Sequence, residues 1–447
     1  MKVIILLLSV IVLTGGIAFA QTINLEQVRV LALANSRSLA KLNLTIHSLA
    51  LDERSRIIAL FPSLSLGLSG SMSLWSASNA APIENPFDTF SAGASVSLSQ
   101  KIFDGGKSGI QKAINEISAE SARKDVLVEY FNVLDSVDNA YYAVLEAAAT
   151  LEAEEQSLES AIASLAMAEI RQASGMINQG DYLKALADME TRENSRNQAR
   201  RNLALNITRL RALIGLNAVP ALEEIDFSGY EELILRLGSI SDEEGDALFN
   251  QFWRLLVLAS PSLAKAGLAN DRAEKNLTLA KRGHSPTLNA SFSTGLNYNQ
   301  NNGVELSGGR VSLSASIPID FWVTNVSIEK SKIALDSSNL DYISAEIQLE
   351  TDLESALLNI FAYAGSVLST RRSLEYAEKH YEFIMERYRL SLSSISDLGD
   401  ASSLLITSRN NHIRARYGFL QSLSKLRSLG AIEDEERLVN LLMGNMF

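Results

Sequence analysis

The chain has 447 residues, a net charge of −12, no cysteine and four histidines. An acidic chain without a basic patch argues against a nucleic-acid partner. The lack of cysteine excludes a disulfide framework, a thiolate metal site and a cysteine nucleophile, and His47, His284, His380 and His412 lack the spacing of a zinc site.

Residues 1–20 read as a secretory leader: Lys2, an apolar run from Val3 to Leu13, then Ala18-Phe19-Ala20 before a cut at Gln21. The run falls short of the ~20 residues that span a bilayer as a helix, and no later apolar segment reaches that length. For an exported chain without a lipidatable cysteine, any membrane contact must use another route.

A first structural repeat, 21–216, opens with a helix and changes period at Pro62. Over 62–74, Leu64, Leu66, Leu68, Met72 and Leu74 alternate with Ser63, Ser65, Ser69, Ser71 and Ser73. This is the period of two of a strand with unlike faces. Over 90–98, Phe90, Ala92, Ala94, Val96 and Leu98 alternate with Ser91, Gly93, Ser95 and Ser97. The two runs form a β-hairpin over 62–103 with its loop near 76–89. Each has the ~9–11 residues with which a tilted strand crosses a bilayer. A half-exposed sheet of a soluble protein usually carries Lys, Glu, Thr and Arg on its wet face. Serine, glycine and asparagine suit the inside of a barrel.

Asp104-Gly105-Gly106-Lys107-Ser108 follows, between strand and helix as in a P-loop. Lys101 stands where that motif needs its first glycine, and the strand alternates instead of being apolar on both faces. The two glycines instead give a sharp strand-to-helix turn. Beyond it, Leu127, Tyr130, Leu134, Val137, Tyr141, Val144, Ala148, Leu151, Leu158, Ile162 and Leu165 keep a 3–4 spacing interrupted by Glu155, as in heptad packing. This helix ends at a tip near 175–181, and an antiparallel helix returns.

An acidic linker, 217–247, separates the second repeat, 248–432. The order recurs: helix, β-hairpin 286–320, long helical hairpin with a tip near 390–400, then a tail, 433–447. Leu31–Leu39 is matched by Leu255–Leu263, and Leu210-Arg211-Ala212-Leu213 by Leu426-Arg427-Ser428-Leu429. The second strands are 287–298 and 311–319, joined by a loop near 299–310. Their polar faces carry Ser291, Ser293, Ser312 and Ser314, which join Ser65, Ser69, Ser95 and Ser97 as lumen-facing candidates. The turn is at Asp320, and Leu353, Leu357, Ile360, Ala364, Val367, Leu374, Tyr381, Met385 and Tyr388 repeat the helical spacing, with Arg371 interrupting. Arg371 either pairs with a neighbouring chain or helix or is a solvated surface residue. Each long helix runs about 65–70 residues, ~100 Å at ~1.5 Å per residue.

Four strands cannot close a lumen, and an open edge is not viable in lipid. Spanning strands therefore require several chains to share one barrel. At the second tip, Asp397 and Asp400 are three apart on one helix face, and Asp181 takes the equivalent place in the first tip. Read from the residues alone, these carboxylates favour a helix N-terminus by capping and the dipole.

These features resemble the TolC-like outer membrane efflux protein family. The resemblance rests on the duplication, the turn Leu98-Ser99-Gln100-Lys101-Ile102-Phe103-Asp104-Gly105-Gly106, and the tips with Gly175…Asp181 and Tyr388…Asp397-Leu398-Gly399-Asp400-Ala401. It departs from the family at Lys101, often Pro there, at the glycine-free turn Pro318-Ile319-Asp320-Phe321-Trp322, and at Ser393, where some members have a basic gate residue. The resemblance implies a mainly α fold with a transmembrane β part, in which a homotrimer forms a twelve-stranded barrel continued by an α-helical periplasmic tunnel. It implies a passive duct in the outer membrane, serving an inner-membrane pump through a periplasmic adaptor (membrane fusion) protein, with no enzymatic activity and no cofactor. It further implies that Asp397 and Asp400 constrict the pore, and that Tyr388 helps hold the closed state. Rings of like charge would raise the carboxyl pKa values and bind cations. The alternatives are a periplasmic adaptor and an exported coiled-coil scaffold without a pore.

Overall fold

A computed structural model describes residues 22–72, 75–76, 81–82, 90–299 and 303–444. The expected leader, Ser73, Leu74 and most of the first hairpin loop lie outside the described residues. In chain order the elements are α1 (Leu25–Asn35), α2 (Arg37–Ile58), β1 (Ser63–Ser71), β2 (Trp75–Ser76), β3 (Ala81–Pro82), β4 (Ser91–Phe103), α3 (Lys107–Ala173) and α4 (Gln179–Ile214). They continue with α5 (Glu231–Leu237), α6 (Asp242–Ala259), α7 (Pro261–Lys281), β5 (Thr287–Asn299), β6 (Gly303–Ser316), α8 (Phe321–Arg389), α9 (Ile395–Leu429) and α10 (Glu435–Leu442). The helix–hairpin–helical-hairpin order therefore occurs twice. The described residues fall into two compact units: a helical unit within 1–37, 129–259 and 350–447, and a sheet unit within 38–128 and 260–349.

In the sheet unit the long strands make one antiparallel sheet, ordered β1-β4-β5-β6. The two hairpins lie side by side, joined by β4 against β5, and β1 and β6 are left as edges. β6 begins at Gly303, so most of the stretch expected to be a loop near 299–310 is strand. Its alternation is broken by Gly308-Gly309, where the ladder carries a bulge. At the other end β6 stops at Ser316, short of the expected Ile319.

The two strand-to-helix turns are built differently. Asp104 accepts hydrogen bonds from the Gly106 N–H at 3.0 Å, the Ser108 N–H at 2.8 Å and the Ser108 hydroxyl. Gly105 and Gly106 take φ of 74° and 80°, a region open to glycine at little cost. A Cβ on Gly105 would also stand 2.3 Å from that of Ser285. At the second turn the Asp320 carbonyl accepts from Val323 N at 3.0 Å and Thr324 N at 3.4 Å, and α8 starts at once. No glycine is needed there.

The helical unit packs Val137, Tyr141, Leu353, Ile360, Phe419, Leu420 and Leu426 in its core. These are the inward positions of the 3–4 pattern on α3 and α8, met by α9. Ile162, read as a seam residue, is half exposed in the single chain. The N-terminal segment is tied down by backbone bonds, Ile23 N to Ala221 O at 2.8 Å and Glu223 N to Ile23 O at 3.0 Å. The acidic linker holds a short helix, α5, whose Leu233, Ile234 and Leu237 are buried, and α6 starts within it, with Asp242, Glu243 and Glu244 in its first turn. Those acids suit a helix N-terminus.

Arg371 pairs with Glu231 of α5 at 3.3 Å, so its partner lies in the same chain. Both are exposed, and such pairs contribute roughly 0–1 kcal/mol. Beside it His412 shares a 3.2 Å contact with the Thr370 hydroxyl. Burial, and then the charges of Arg416 and Arg371, push its imidazole down from 6.5 to about 4. Between those values the unfolded chain binds a proton that the folded chain does not, so stability falls as pH drops from 6.5 towards 4. Unfolding midpoints across this window should show that loss and show less of it in His412→Gln. An identical pH profile in the variant would contradict the assignment.

Candidate functional site

Two places carry candidate functional groups: the wet face of the sheet and the tips of the helical hairpins. Strand pairing defines the first. Cross-strand rows run Ser63–Ser99–Ser291–Ser312, Ser65–Ser97–Ser293–Arg310, Gly67–Ser95–Gly295–Ser307 and Ser69–Gly93–Asn297–Glu305. Ser314 follows opposite Asn289 and Lys101. All eight candidate serines thus share one face. Their hydroxyls pair across strands, Ser65 with Ser97 at 2.6 Å and Ser71 with Ser91 at 2.9 Å. Arg310, Glu305 and Lys101 also lie on this face, so it is less free of charge than the alternation suggested.

The opposite face is apolar apart from Thr294 and Gln100: its rows include Leu64–Leu98–Phe292–Val311, Leu66–Val96–Thr294, Leu68–Ala94–Leu296–Leu306 and Gln100–Ala290–Leu313. It is also open: Leu68 is 77 % and Val311 80 % exposed. At the helix-proximal end Phe61, Phe103, Phe321 and Trp322 are exposed as well, the composition of an interfacial aromatic girdle. An apolar face this continuous is uncommon on a monomeric soluble protein and marks a membrane or partner surface.

At the tips the duplication reaches individual hydrogen bonds. α3 closes with Gly175 N to Gln172 O at 2.9 Å and Met176 N to Arg171 O at 2.8 Å. α8 closes with Ser391 N to Tyr388 O at 2.9 Å and Leu392 N to Arg387 O at 2.8 Å. Both are left-handed caps. Gly175 takes φ 70° easily, whereas Ser391 at φ 61° is strained.

Each return helix then starts with an acid at its third position. Asn178 caps α4 by accepting from Asp181 N at 2.9 Å. Ser394 caps α9 by accepting from Asp397 N at 3.1 Å, and the Asp397 carboxylate accepts from Ser394 N at 2.9 Å and the Ser393 hydroxyl at 3.0 Å. These bonds, the Ser394 N–H foremost, hold the Asp397 carboxyl below its ordinary range. Asp397 is therefore a capping-box residue within its own chain, with its carboxylate exposed. Asp400 is exposed one turn on and borders a groove of about 220 Å³ with Lys184, Asp188 and Ser403. Ser393 stands with the cap and does not supply a base.

Tyr388 is fully buried among Ala168, Ala185, Ile384, Ile395, Leu398 and Ala401. Its hydroxyl has no hydrogen-bond partner among the described residues. Arg171, which sequence reading passed over, stacks on the Tyr388 ring 4.3 Å from its centroid and donates to the Tyr388 carbonyl at 2.5 Å. Lys184 donates to Ser396 at 2.5 Å and Arg192 to Ser403 at 2.7 Å, linking α4 to α9. A base in the last turn of α3 has a bland reading as a dipole partner, which is why Arg171 gave no signal. No cluster of metal-ligating side chains occurs among the described residues, and no described helix is long and apolar enough to cross a membrane.

Comparison with known proteins bears on both places. The profile of the outer membrane efflux protein family matches residues 28–216 and 254–431. Outer membrane protein TolC of Escherichia coli is 23% identical over 404 residues, covering 85% of this chain and 76% of that protein. The fold is similar to the CmeC outer membrane channel of Campylobacter jejuni, with a TM-score of 0.74 and 16% identity over 95% of this chain and 90% of that one. It is also similar to the outer membrane protein VceC of Vibrio cholerae, with a TM-score of 0.71 and 15% identity over 91% and 96% of the two chains.

Proposed function

The chain belongs to the outer membrane efflux protein family, and on that premise we propose that three copies pool their sheets into one barrel and act as a passive duct from periplasm to exterior. A member of this family is an outer membrane efflux channel with a periplasmic extension, and a transport protein, not an enzyme. The adaptor and scaffold alternatives fall with that membership.

The observation that carries the barrel is the open four-stranded sheet. One face is apolar and exposed, the other is serine. In lipid, the unpaired groups along β1 and β6 would each cost several kcal/mol. Pairing β1 of one chain with β6 of the next removes both edges, and three chains of four strands each give a closed barrel of twelve. The leucine face then meets lipid and the serine face lines water. Serine offers hydrogen bonds without a charge that would trap a solute. On α8, Val326, Ile333 and Leu340 form an exposed heptad-spaced stripe in the single chain, which suits a neighbouring helix.

Residues 1–20 act as a signal peptide, 217–247 as a linker between the repeats, and 433–447 as a tail. Asp397 and Asp400 of three chains form carboxylate rings at the periplasmic end, with Asp181 alongside them. Arg171 stacked on Tyr388 fixes the end of α8 that carries the second tip. Opening separates the tips when an adaptor, coupled to an inner-membrane pump, grips them. The rings would bind divalent cations and block the pore. Single-channel recording tests this assignment: Asp397→Ala, Asp400→Ala should raise the conductance severalfold and abolish block by divalent cations. Equal conductance and equal block before and after would reject the gate.

A further inference from the structure

β6 carries a charge whose placement depends on one irregularity. Its apolar residues change parity along the strand, Val304 and Leu306 at even positions, then Val311 and Leu313 at odd ones. The ladder passes from Ser307 opposite Gly295 to Arg310 opposite Ser293. Gly308-Gly309 thus stand against Thr294 alone, one residue in excess, as in a β-bulge. Gly309 also leaves room for Phe292, whose ring edge would lie 3.1 Å from a Cβ there. The bulge keeps Val304, Leu306, Val311 and Leu313 on one face and turns Arg310 into the row Ser65–Ser97–Ser293. Without it, the guanidinium would lie on the apolar face, where it is strongly disfavoured in a bilayer.

Arg310 is exposed, and its side chain makes no ion pair or hydrogen bond among the described residues. The acid of this face, Glu305, belongs to the row of Ser69, Gly93 and Asn297. That row is two same-face steps nearer the hairpin loop, ~13 Å at ~3.3 Å per residue. Lys101 lies two steps the other way, opposite Asn289. The described wet face therefore carries two bases against one acid, in a chain whose net charge is −12.

We propose that Arg310 is a specificity-determining residue of the duct: its three copies form a cationic collar at one level of the barrel, favouring solutes that bear carboxylate, phosphate or sulfate groups. This rests on the barrel reading above. Serine hydroxyls can present a proton or a lone pair to either sign of charge, whereas a guanidinium stays cationic at any working pH. A collar of one sign between low-dielectric walls raises the local concentration of the opposite ion.

The absence of cysteine makes the test direct. Ser97→Cys, about 10 Å from Arg310 across two strands, is exposed in outer membrane preparations to two membrane-impermeant methanethiosulfonates, one with a sulfonate and one with a trimethylammonium group. Val96→Cys, on the apolar face, is the control. At low ionic strength, where charges act over about 30 Å, Ser97→Cys should react faster with the anionic reagent. Adding Arg310→Gln should cut the anionic-to-cationic rate ratio at least threefold, and Arg310→Lys should retain it. A reactive Ser97→Cys, a protected Val96→Cys and an unchanged ratio would overturn the collar and leave the barrel standing. Equal reactivity of the two cysteines would overturn the barrel reading and the collar with it.

Discussion

Asp138→Ala is expected to destabilise the helical unit by about 3–5 kcal/mol, the cost of breaking a buried ion pair from one side. Asp138 is fully buried between two arginines that are nearly so. Arg29 donates to it through Nε at 2.7 Å and Nη2 at 2.8 Å, and Arg427 at 2.5 Å. Ser424 adds a hydroxyl at 3.0 Å. The group joins α1, α3 and α9, and Arg29 also reaches Glu26 and, at 3.7 Å, Glu435 of α10. Burial works against the Arg29 charge, yet the hydrogen bonds and charge of Asp138 hold its pKa above the usual arginine range. With Asp138 gone, two guanidiniums remain buried with too little negative charge. Denaturant unfolding of the purified protein should show the loss, and a triple apolar replacement of Arg29, Asp138 and Arg427 should recover most of it. A loss under 1 kcal/mol in Asp138→Ala would show that water reaches the cluster.

A second large effect separates the faces of one strand. Leu66→Arg puts a charge near the middle of β1 on the apolar face, where arginine costs about 2–4 kcal/mol at a bilayer midplane. In a trimer that cost applies three times. Ser69→Arg puts the same charge on the serine face, beside Gly93 and in the row of Glu305. The first variant should be nearly absent from the outer membrane and the second close to normal, read as the amount of chain in outer membrane fractions. Similar recovery of both would mean that neither face meets lipid.

The features most legible in the sequence were those that repeat. Period-two runs gave the strands and the serine face, because every second residue must be apolar where lipid is one solvent and water the other. The duplication gave both helical hairpins and both tips, and the caps match bond for bond at Gly175 and Ser391. What the pattern could not show depends on single residues or long separations. Within the loop expected near 299–310, residues 303–310 are strand because Gly308-Gly309 resets the alternation, and a parity change looks like an ending when only one strand is read. Arg29, Asp138 and Arg427 are far apart in the chain and each reads as a surface charge alone. Asp397 was legible both as a cap and as a pore carboxylate; within one chain it is a cap, with its carboxylate exposed.

The central claim is that three chains share one barrel, and the number of chains in the particle extracted from the outer membrane tests it most directly. Native mass spectrometry of the protein released from detergent should give three times the mass of the mature chain. A single chain, stable in water without detergent, would leave the edges of β1 and β6 unpaired and contradict the account.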